Sequence, residues 1–162
     1  MRACVILAAL VLCGPARSGA YAQAAPAPVA APRAFMALSV ARLPPMIAWY
    51  RDVLGFTVFS QGEVADRGIA FALLLRDGAL IEMLQTKAAR PLKEVAPAVK
   101  DPVEIHGFFK GGFVVADVEA AYRDLQRRGV TFDFELTQPR NGPYRAFGLR
   151  DPEGNLLQVF GK

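Results

Sequence analysis

The sequence is poor in the side chains that carry most metal and nucleophile chemistry. Its 162 residues include two cysteines and one histidine. Both cysteines, Cys4 and Cys13, lie in an apolar segment at the start of the chain. If that segment is cleaved, the mature protein has no thiol, no disulfide and no cysteine metal site. We identify no serine–histidine–aspartate or cysteine–histidine catalytic set around the single histidine.

A strong charge of either sign is also missing. The formal net charge is +4 at pH 7, and it falls to +2 when the two arginines of the first 22 residues, Arg2 and Arg17, are subtracted. No stretch of the sequence interleaves a row of basic residues with aromatic ones. We therefore expect no nucleic-acid partner.

The apolar run near the start, Ala3 to Cys13, is too short to be a membrane anchor, because crossing a bilayer takes ~20 apolar residues. Arg2 precedes the run, and Ala20-Tyr21-Ala22 fits the small-x-small rule for cleavage. We expect a signal peptide at residues 1–22, no membrane span in the mature protein, and a secreted or periplasmic location. Residues 23–33 are mainly alanine and proline, which predicts a disordered or extended tether.

An internal repeat is the strongest pattern in the remaining chain. LRDGALIEML at residues 75–84 resembles LRDPEGNLLQVF at residues 149–160. Aligning Gly78 with Gly154 places Glu82 opposite Gln158, with two extra turn residues in the later copy. The segments AWYRDV and AYRDL repeat in the same way. A chain that repeats such phrases at matching places is expected to be a duplicated module.

The first copy predicts the order β-α-β-β-β. Pro44-Pro45 suits the first turn of a helix that ends at Leu54, since proline there loses no helical hydrogen bond. Gly55 suits a left-handed cap, and Asp77-Gly78 a hairpin turn. The strands are expected at residues 35–40, 56–59, 69–75 and 80–84.

The second copy predicts the same order. Asp117 is a good N-cap for a helix over residues 118–128 that Gly129 ends. The strands are expected at residues 108–115, 131–136, 144–149 and 156–160, with a turn at 141–143. The connection between the copies, residues 86–104, has no clear period; we expect a helical turn within residues 93–99. The fold class is α+β: two tandem βαβββ modules, residues 35–85 and 106–162 of a domain spanning 34–162, forming a curved mixed sheet around a cavity.

Three segments carry a resemblance to a known family. They are WYRDVLGF at residues 49–56, FVVADVEAAY at 113–122 and DPEGNLLQ at 151–158. With the repeated βαβββ order, they resemble the vicinal oxygen chelate superfamily, which includes glyoxalase I, the bleomycin-resistance proteins and the extradiol dioxygenases. The resemblance covers the chain from Phe35 to Lys162. It implies the fold directly and the function only weakly, because one fold hosts many chemistries.

The resemblance implies four positions for the ligands of a metal, on the first and fourth strand of each module. In this sequence they fall on Phe35, Glu82, Lys110 and Gln158. Only Glu82 keeps a ligand type, because a phenyl ring has no donor atom and an ammonium repels a cation. We therefore expect no metal and no other cofactor. We further hypothesise that Lys110 pairs with Glu82 near the metal position, with Gln158 hydrogen-bonded beside them.

The single histidine, His106, has the same parity as Lys110 along an extended segment, so both side chains are able to face the cavity. At four residues' distance it is too far from Lys110 to replace it as a ligand, and a surface position is the alternative. Parity also places Ala37, Leu156 and Phe160 on the inner face. The candidate pocket residues are Phe35, Ser39, Glu82, His106, Phe108, Lys110 and Gln158.

Two functions of different classes follow from these residues. The favoured one is an exported domain that binds or sequesters a small apolar or aromatic molecule in the cavity. The alternative is a glyoxalase- or dioxygenase-type enzyme, a lyase or oxidoreductase, with a non-standard or metal-free site, whose catalytic residues the sequence does not identify. A domain that binds only a protein partner is a third reading. The sequence leaves open whether the modules pair within one chain or across a homodimer.

Overall fold

The computed structural model describes residues 35–138 and 142–162. The predicted signal peptide, the predicted tether and Asn141 of the predicted turn lie outside these residues, so those expectations stay predictions. No helix among the described residues is long and apolar enough to cross a membrane.

The first module forms a four-stranded sheet with one helix. Its elements are β1 (Phe35–Val40), α1 (Leu43–Asp52), β2 (Thr57–Val64), β3 (Ile69–Arg76) and β4 (Ala79–Thr86). The strand order is β1-β4-β3-β2. The outer pair β1 and β4 is parallel, and the other pairs are antiparallel.

The second module repeats this topology. After a short helix α2 (Leu92–Val95), its elements are β5 (Gly111–Val115), α3 (Val118–Arg127), β6 (Phe132–Thr137), β7 (Arg145–Arg150) and β8 (Leu156–Gly161). The strand order is β5-β8-β7-β6, again with a parallel outer pair. Two tandem βαβββ modules with mixed sheets confirm the predicted fold class.

Local sequence sets the ends of the helices. Two prolines stand in the first turn of α1, and Gly55 follows the helix with a left-handed φ of +71°. The helix ends at Asp52, two residues earlier than predicted. In α3 the side chain of Asp117 accepts a hydrogen bond from the backbone N–H of Ala120 at 2.8 Å, which is the predicted cap.

Each helix covers one face of its sheet, and the buried side chains form one core. Met46 and Tyr50 of α1 lie with Ile81 and Met83 of β4, all fully buried. Because successive side chains of a strand point to opposite faces, the residues that alternate with Ile81 and Met83 lie on the face away from α1. Glu82 is one of them.

The start of the second module differs from the expected strand at residues 108–115. Strand β5 begins at Gly111, and the three residues before it are in no regular element. Gly107 has a φ of +145°, in the region that favours glycine. The chain therefore turns at this point, and the even parity that related His106 to Lys110 is lost.

The connection between the modules also differs in detail. The predicted helical turn within residues 93–99 is the four-residue helix α2, followed by a 3₁₀ turn at Pro102–Glu104. Strand β2 is longer than predicted and runs to Val64, with an irregular register between Val58 and Ser60. The extra strand length was missed because polar residues dominate its second half.

The two modules pack directly on each other. The rings of Phe56 and Phe113 lie 5.6 Å apart. A Cβ at Gly111 would lie 2.7 Å from the Sδ of Met36, so the absence of a side chain lets β1 and β5 approach closely.

Candidate functional site

An open groove of about 390 Å³ lies where the outer strands β1 and β5 approach each other. Of the twelve described residues that line it, eight have apolar side chains, two are glycines, and one is charged. The groove is lined by Phe35, Met36, Ala79, Leu80, Phe108, Lys110, Gly111, Gly112, Phe113, Val114, Gln158 and Phe160.

The large side chains around the groove are unusually exposed for apolar residues. Phe35 is 62% exposed, Phe108 79% and Val114 73%. An exposed apolar cluster of this kind on a folded domain generally marks a surface that a ligand or partner covers. The groove is therefore the candidate binding site.

Among the described residues that line the groove, Lys110 alone is charged. Its ammonium donates a hydrogen bond to Oε1 of Gln158. The same Nζ lies 5.3 Å from the centre of the Phe109 ring, within the range of a cation–π contact. The amide and the ring hold a half-buried cation beside an apolar surface.

The sheet registers support the equivalence of the four positions that the resemblance implied. Ala37 pairs with Glu82 in the first sheet, and Gly112 pairs with Gln158 in the second. Phe35 lies two residues before Ala37, and Lys110 lies two residues before Gly112. The positions Phe35 and Lys110 therefore correspond, and so do Glu82 and Gln158.

The predicted ion pair between Lys110 and Glu82 is not formed. No carboxylate among the described residues lies within 4.0 Å of the Lys110 ammonium, which bonds to Gln158 instead. The reason is geometric: Lys110 precedes β5, whose neighbour is the strand of Gln158, whereas Glu82 belongs to the other sheet. Glu82 is half-buried and does not line the groove.

The remaining candidates divide between the groove and the surface. Phe35, Phe108, Lys110 and Gln158 line the groove, and so does Phe160. Ser39 is exposed on β1 further from the groove, and His106 is exposed in the turn before β5. Sequence reasoning missed Leu80 and Val114; the alternation along β4 and β5 was the signal that would have found them.

The donor set at the four corresponding positions does not fit a catalytic metal ion. A divalent ion is normally held by three or more His, Cys, Asp or Glu side chains, whereas one carboxylate, one amide, one ammonium and one phenyl ring stand here. Across residues 35–138 and 142–162, no group of three such ligand types is placed to hold an ion.

A buried polar cluster joins the two modules, and sequence reasoning did not find it. Asp151, in the loop between β7 and β8, is 5% exposed. Its Oδ2 accepts the hydroxyl of Tyr50 at 3.2 Å and Nδ2 of Asn155 at 2.9 Å. Its Oδ1 accepts the backbone N–H groups of Glu153 and Asn155 at 3.0 and 2.9 Å. All four acceptor positions of the carboxylate are therefore used.

This cluster shifts the pKa of one of its side chains, that of Tyr50. Burial raises the pKa of the Tyr50 hydroxyl above its usual value, and the negative charge of Asp151 and the hydrogen bond to it raise it further. Tyr50 is thus a fixed hydrogen-bond donor over the ordinary pH range. The cluster lies on α1 and the β7–β8 loop, outside the groove lining, and links the two modules.

Comparison with known proteins identifies the family and the fold. A family model described as Glyoxalase/Bleomycin resistance protein/Dioxygenase superfamily matches residues 33–159. None of the curated proteins matches the chain.

Solved structures share the fold at low sequence identity. SMU.1112c has a TM-score of 0.64 and 22% identity, over 78% of this chain and 96% of its own. A glyoxalase family protein from Enterococcus faecalis has a TM-score of 0.63 and 17% identity, over 78% and 94%. A glyoxylase/bleomycin resistance protein/dioxygenase domain from Frankia sp. EAN1pec has a TM-score of 0.62 and 16% identity, over 83% and 93%. At such identities the likeness concerns the fold alone.

Proposed function

Because the chain belongs to the Glyoxalase/Bleomycin resistance protein/Dioxygenase superfamily, we propose that it is a member that binds a small apolar or aromatic molecule without a catalytic metal. The observation that carries this proposal is the groove between β1 and β5, whose lining is apolar except for Lys110 and Gln158. Clefts with this composition, a few polar groups on an apolar wall, are typical of small-molecule sites.

The donor chemistry favours binding over the family's metal-assisted reactions. Lys110 occupies one of the four corresponding positions, and its positive charge opposes a divalent cation there. Phe35 occupies another and offers no lone pair. Glu82 alone retains a metal-ligating type, and one carboxylate with one amide is too weak a set to hold a catalytic ion. The enzyme alternative has no specific observation in its favour.

Binding in the groove is tested with a metabolite library and a matched pair of variants. A ligand that binds only the folded protein raises the free energy of unfolding by about 2.7 kcal/mol at a hundredfold excess over Kd, which a thermal-shift screen detects. Val114→Asp places a charge in the groove at an exposed position and should abolish the shift. Val95→Asp on α2 is the control, because Val95 is also exposed and lies outside the groove. A compound whose thermal shift persists in Val114→Asp would show that its binding site lies outside the groove.

Metal content is a separate test. The purified mature protein should hold much less than one equivalent of zinc, nickel, manganese or iron, as measured by mass spectrometry. Stoichiometric metal that disappears in Glu82→Gln, while the wild-type fold is retained, would favour the enzyme alternative instead.

We also propose that the protein is exported. The support is the sequence of the first 22 residues, with Arg2, the apolar run and the Ala20-Tyr21-Ala22 site. N-terminal sequencing of the protein from the culture medium or periplasm should begin at Gln23. A homodimer also stays a prediction, which light scattering on the mature protein measures.

A further inference from the structure

Lys110 gives the groove a property that the proposed function does not include. Resting on that function, we propose that the ligand is an organic acid: an apolar body that lies against the phenylalanines and a carboxylate that bonds to the Lys110 ammonium. This names the chemical class of the molecule bound at the site.

The ammonium is oriented by the protein and has donors left over. Lysine carries three N–H donors. One is given to Oε1 of Gln158, and the Phe109 ring lies against the same group. Within residues 35–138 and 142–162, the Lys110 ammonium has no second hydrogen-bond acceptor. Two donors therefore remain for a molecule in the groove.

The charge of Lys110 is not balanced by a carboxylate of the described residues within 4.0 Å. Filling the groove removes water from a half-buried ammonium, and a buried charge is costly unless it gains an opposite charge. A neutral apolar ligand would leave that cost uncompensated. An acid compensates it with a charge-assisted hydrogen bond, which is stronger than one between neutral groups.

The rest of the lining selects the body of the acid. Phe35, Phe108 and Phe160 line the groove together with Leu80 and Val114. Removal of this apolar surface from water favours a hydrophobic body at roughly 25 cal/mol per Å². Aromatic and long aliphatic acids share the required chemistry, and the choice between them is made by experiment.

The test compares three probes of matched size or charge by titration calorimetry. They are 2-naphthoate, its neutral analogue 2-naphthamide, and octanoate. The wild-type protein should bind 2-naphthoate about tenfold more tightly than 2-naphthamide, as one charge-assisted hydrogen bond predicts. Octanoate reports whether an aliphatic body replaces the aromatic one.

Three variants assign the preference to Lys110. In Lys110→Met the ratio between acid and amide should fall to about one, while 2-naphthamide keeps its affinity within a few fold. Lys110→Arg retains the cation and should retain a preference for the acid. Lys93→Met is the matched control, because Lys93 lies on α2 outside the groove and its loss changes the net charge equally.

The outcomes separate the two proposals. If acid and amide bind the wild type equally, or if the preference survives Lys110→Met, the assignment of an acid to Lys110 is wrong although small-molecule binding stands. If no probe binds and no library compound gives a shift that Val114→Asp abolishes, the proposed function fails and this inference fails with it.

Discussion

The two modules close their last hairpins in different ways, and the difference explains how they are joined. Between β3 and β4 the loop is two residues, Asp77 and Gly78, both with positive φ, of 47° and 85°. Between β7 and β8 the loop is five residues, 151–155. The Asp77 side chain is 89% exposed, whereas Asp151 is 5% exposed. Equivalent aspartates after duplication thus have opposite environments.

The longer loop reaches the other module. Asp151 accepts the Tyr50 hydroxyl of α1, and the carboxylate of Glu153 accepts the backbone N–H groups of Ala41 and Arg42 at 2.9 and 3.1 Å. The short loop makes no comparable contact with the described part of the chain, because two residues suffice only to reverse the chain. The DPEGN segment is therefore an intermodule joint, which explains why it indicates the fold and carries no information about the ligand.

The first turns of α1 and α3 also differ in how far their capping depends on the other module. Helix α3 is capped by its own Asp117. Helix α1 has no side-chain cap of its own; Pro44 and Pro45 lack N–H groups, and the Leu43 N–H donates to Oε1 of Gln85 at 2.7 Å. Together with Glu153, these residues account for the donors at the start of α1. Module one therefore depends on module two for part of its helix capping, and the reverse does not hold for α3.

The largest expected effect comes from replacing the equivalent aspartate of each loop, Asp151 or Asp77, by asparagine. Asp151→Asn should lower the free energy of unfolding by about 2–3 kcal/mol, because the amide replaces two of four used acceptor positions by donors. Asp77→Asn, at an exposed left-handed position that asparagine tolerates, should stay within about 0.5 kcal/mol. Urea denaturation of both variants measures the difference. Equal losses would mean that the two loops are energetically alike.

The hairpins, both helices and the duplicated order were predictable because they depend on local chemistry. Asp-Gly fixes the short turn, Asp117 the start of α3, and alternation the inner face of each strand. The start of β5 was predicted too early, because the apolar residues Phe108 and Phe109 extend the strand-like pattern of residues 111–115, although they lie in no regular element.

Of the two contacts expected at Lys110, the one with Gln158 is present and the one with Glu82 is not. The resemblance, rather than strand register, implied the positions of Lys110 and Gln158, and the structure has a hydrogen bond between these two side chains. The proposed partner of Lys110 was wrong because it required the relative position of two sheets, which strand periodicity does not fix. The bond between Tyr50 and Asp151 joins residues 101 positions apart, and a buried tyrosine has no sequence signature that names its partner.

A smaller loss in the free energy of unfolding is expected when the hydrogen bond is removed at Tyr50 instead of Asp151. Tyr50→Phe keeps the ring in the core and removes one hydrogen bond to Asp151, which retains three donors. We expect about 1 kcal/mol at neutral pH, measured by the same denaturation. A double variant with Asp151→Asn should lose less than the sum of the two single losses, since both act on one hydrogen bond. Full additivity would show that the bond contributes nothing.

Tyr50→Phe also tests how the free energy of unfolding depends on pH, and the sign of that dependence is defined. The pKa of Tyr50 is raised in the folded protein, so the unfolded chain releases the proton first, near the ordinary tyrosine pKa of about 10. The stabilisation is complete below about pH 10 and is lost as the pH rises above it, by up to about 1.4 kcal/mol per pH unit. Wild type should fall more steeply than Tyr50→Phe over this range. Parallel curves would mean that the Tyr50 hydroxyl titrates alike in both states.

The smallest expected effect concerns Glu153. Glu153→Gln removes the charge and one of the two oxygens that face the N–H groups of Ala41 and Arg42, and the site is exposed, so we expect about 0.5–1 kcal/mol. Glu63→Gln, on the exposed side of β2, is the matched control and should change the free energy of unfolding by less than about 0.5 kcal/mol. The loss in Glu153→Gln should shrink in high salt, because the interaction of a carboxylate with a helix start is partly electrostatic. A salt-independent loss would mean that Glu153 acts by packing, and the start of α1 would then be capped only from within module one, by Gln85 and the two prolines.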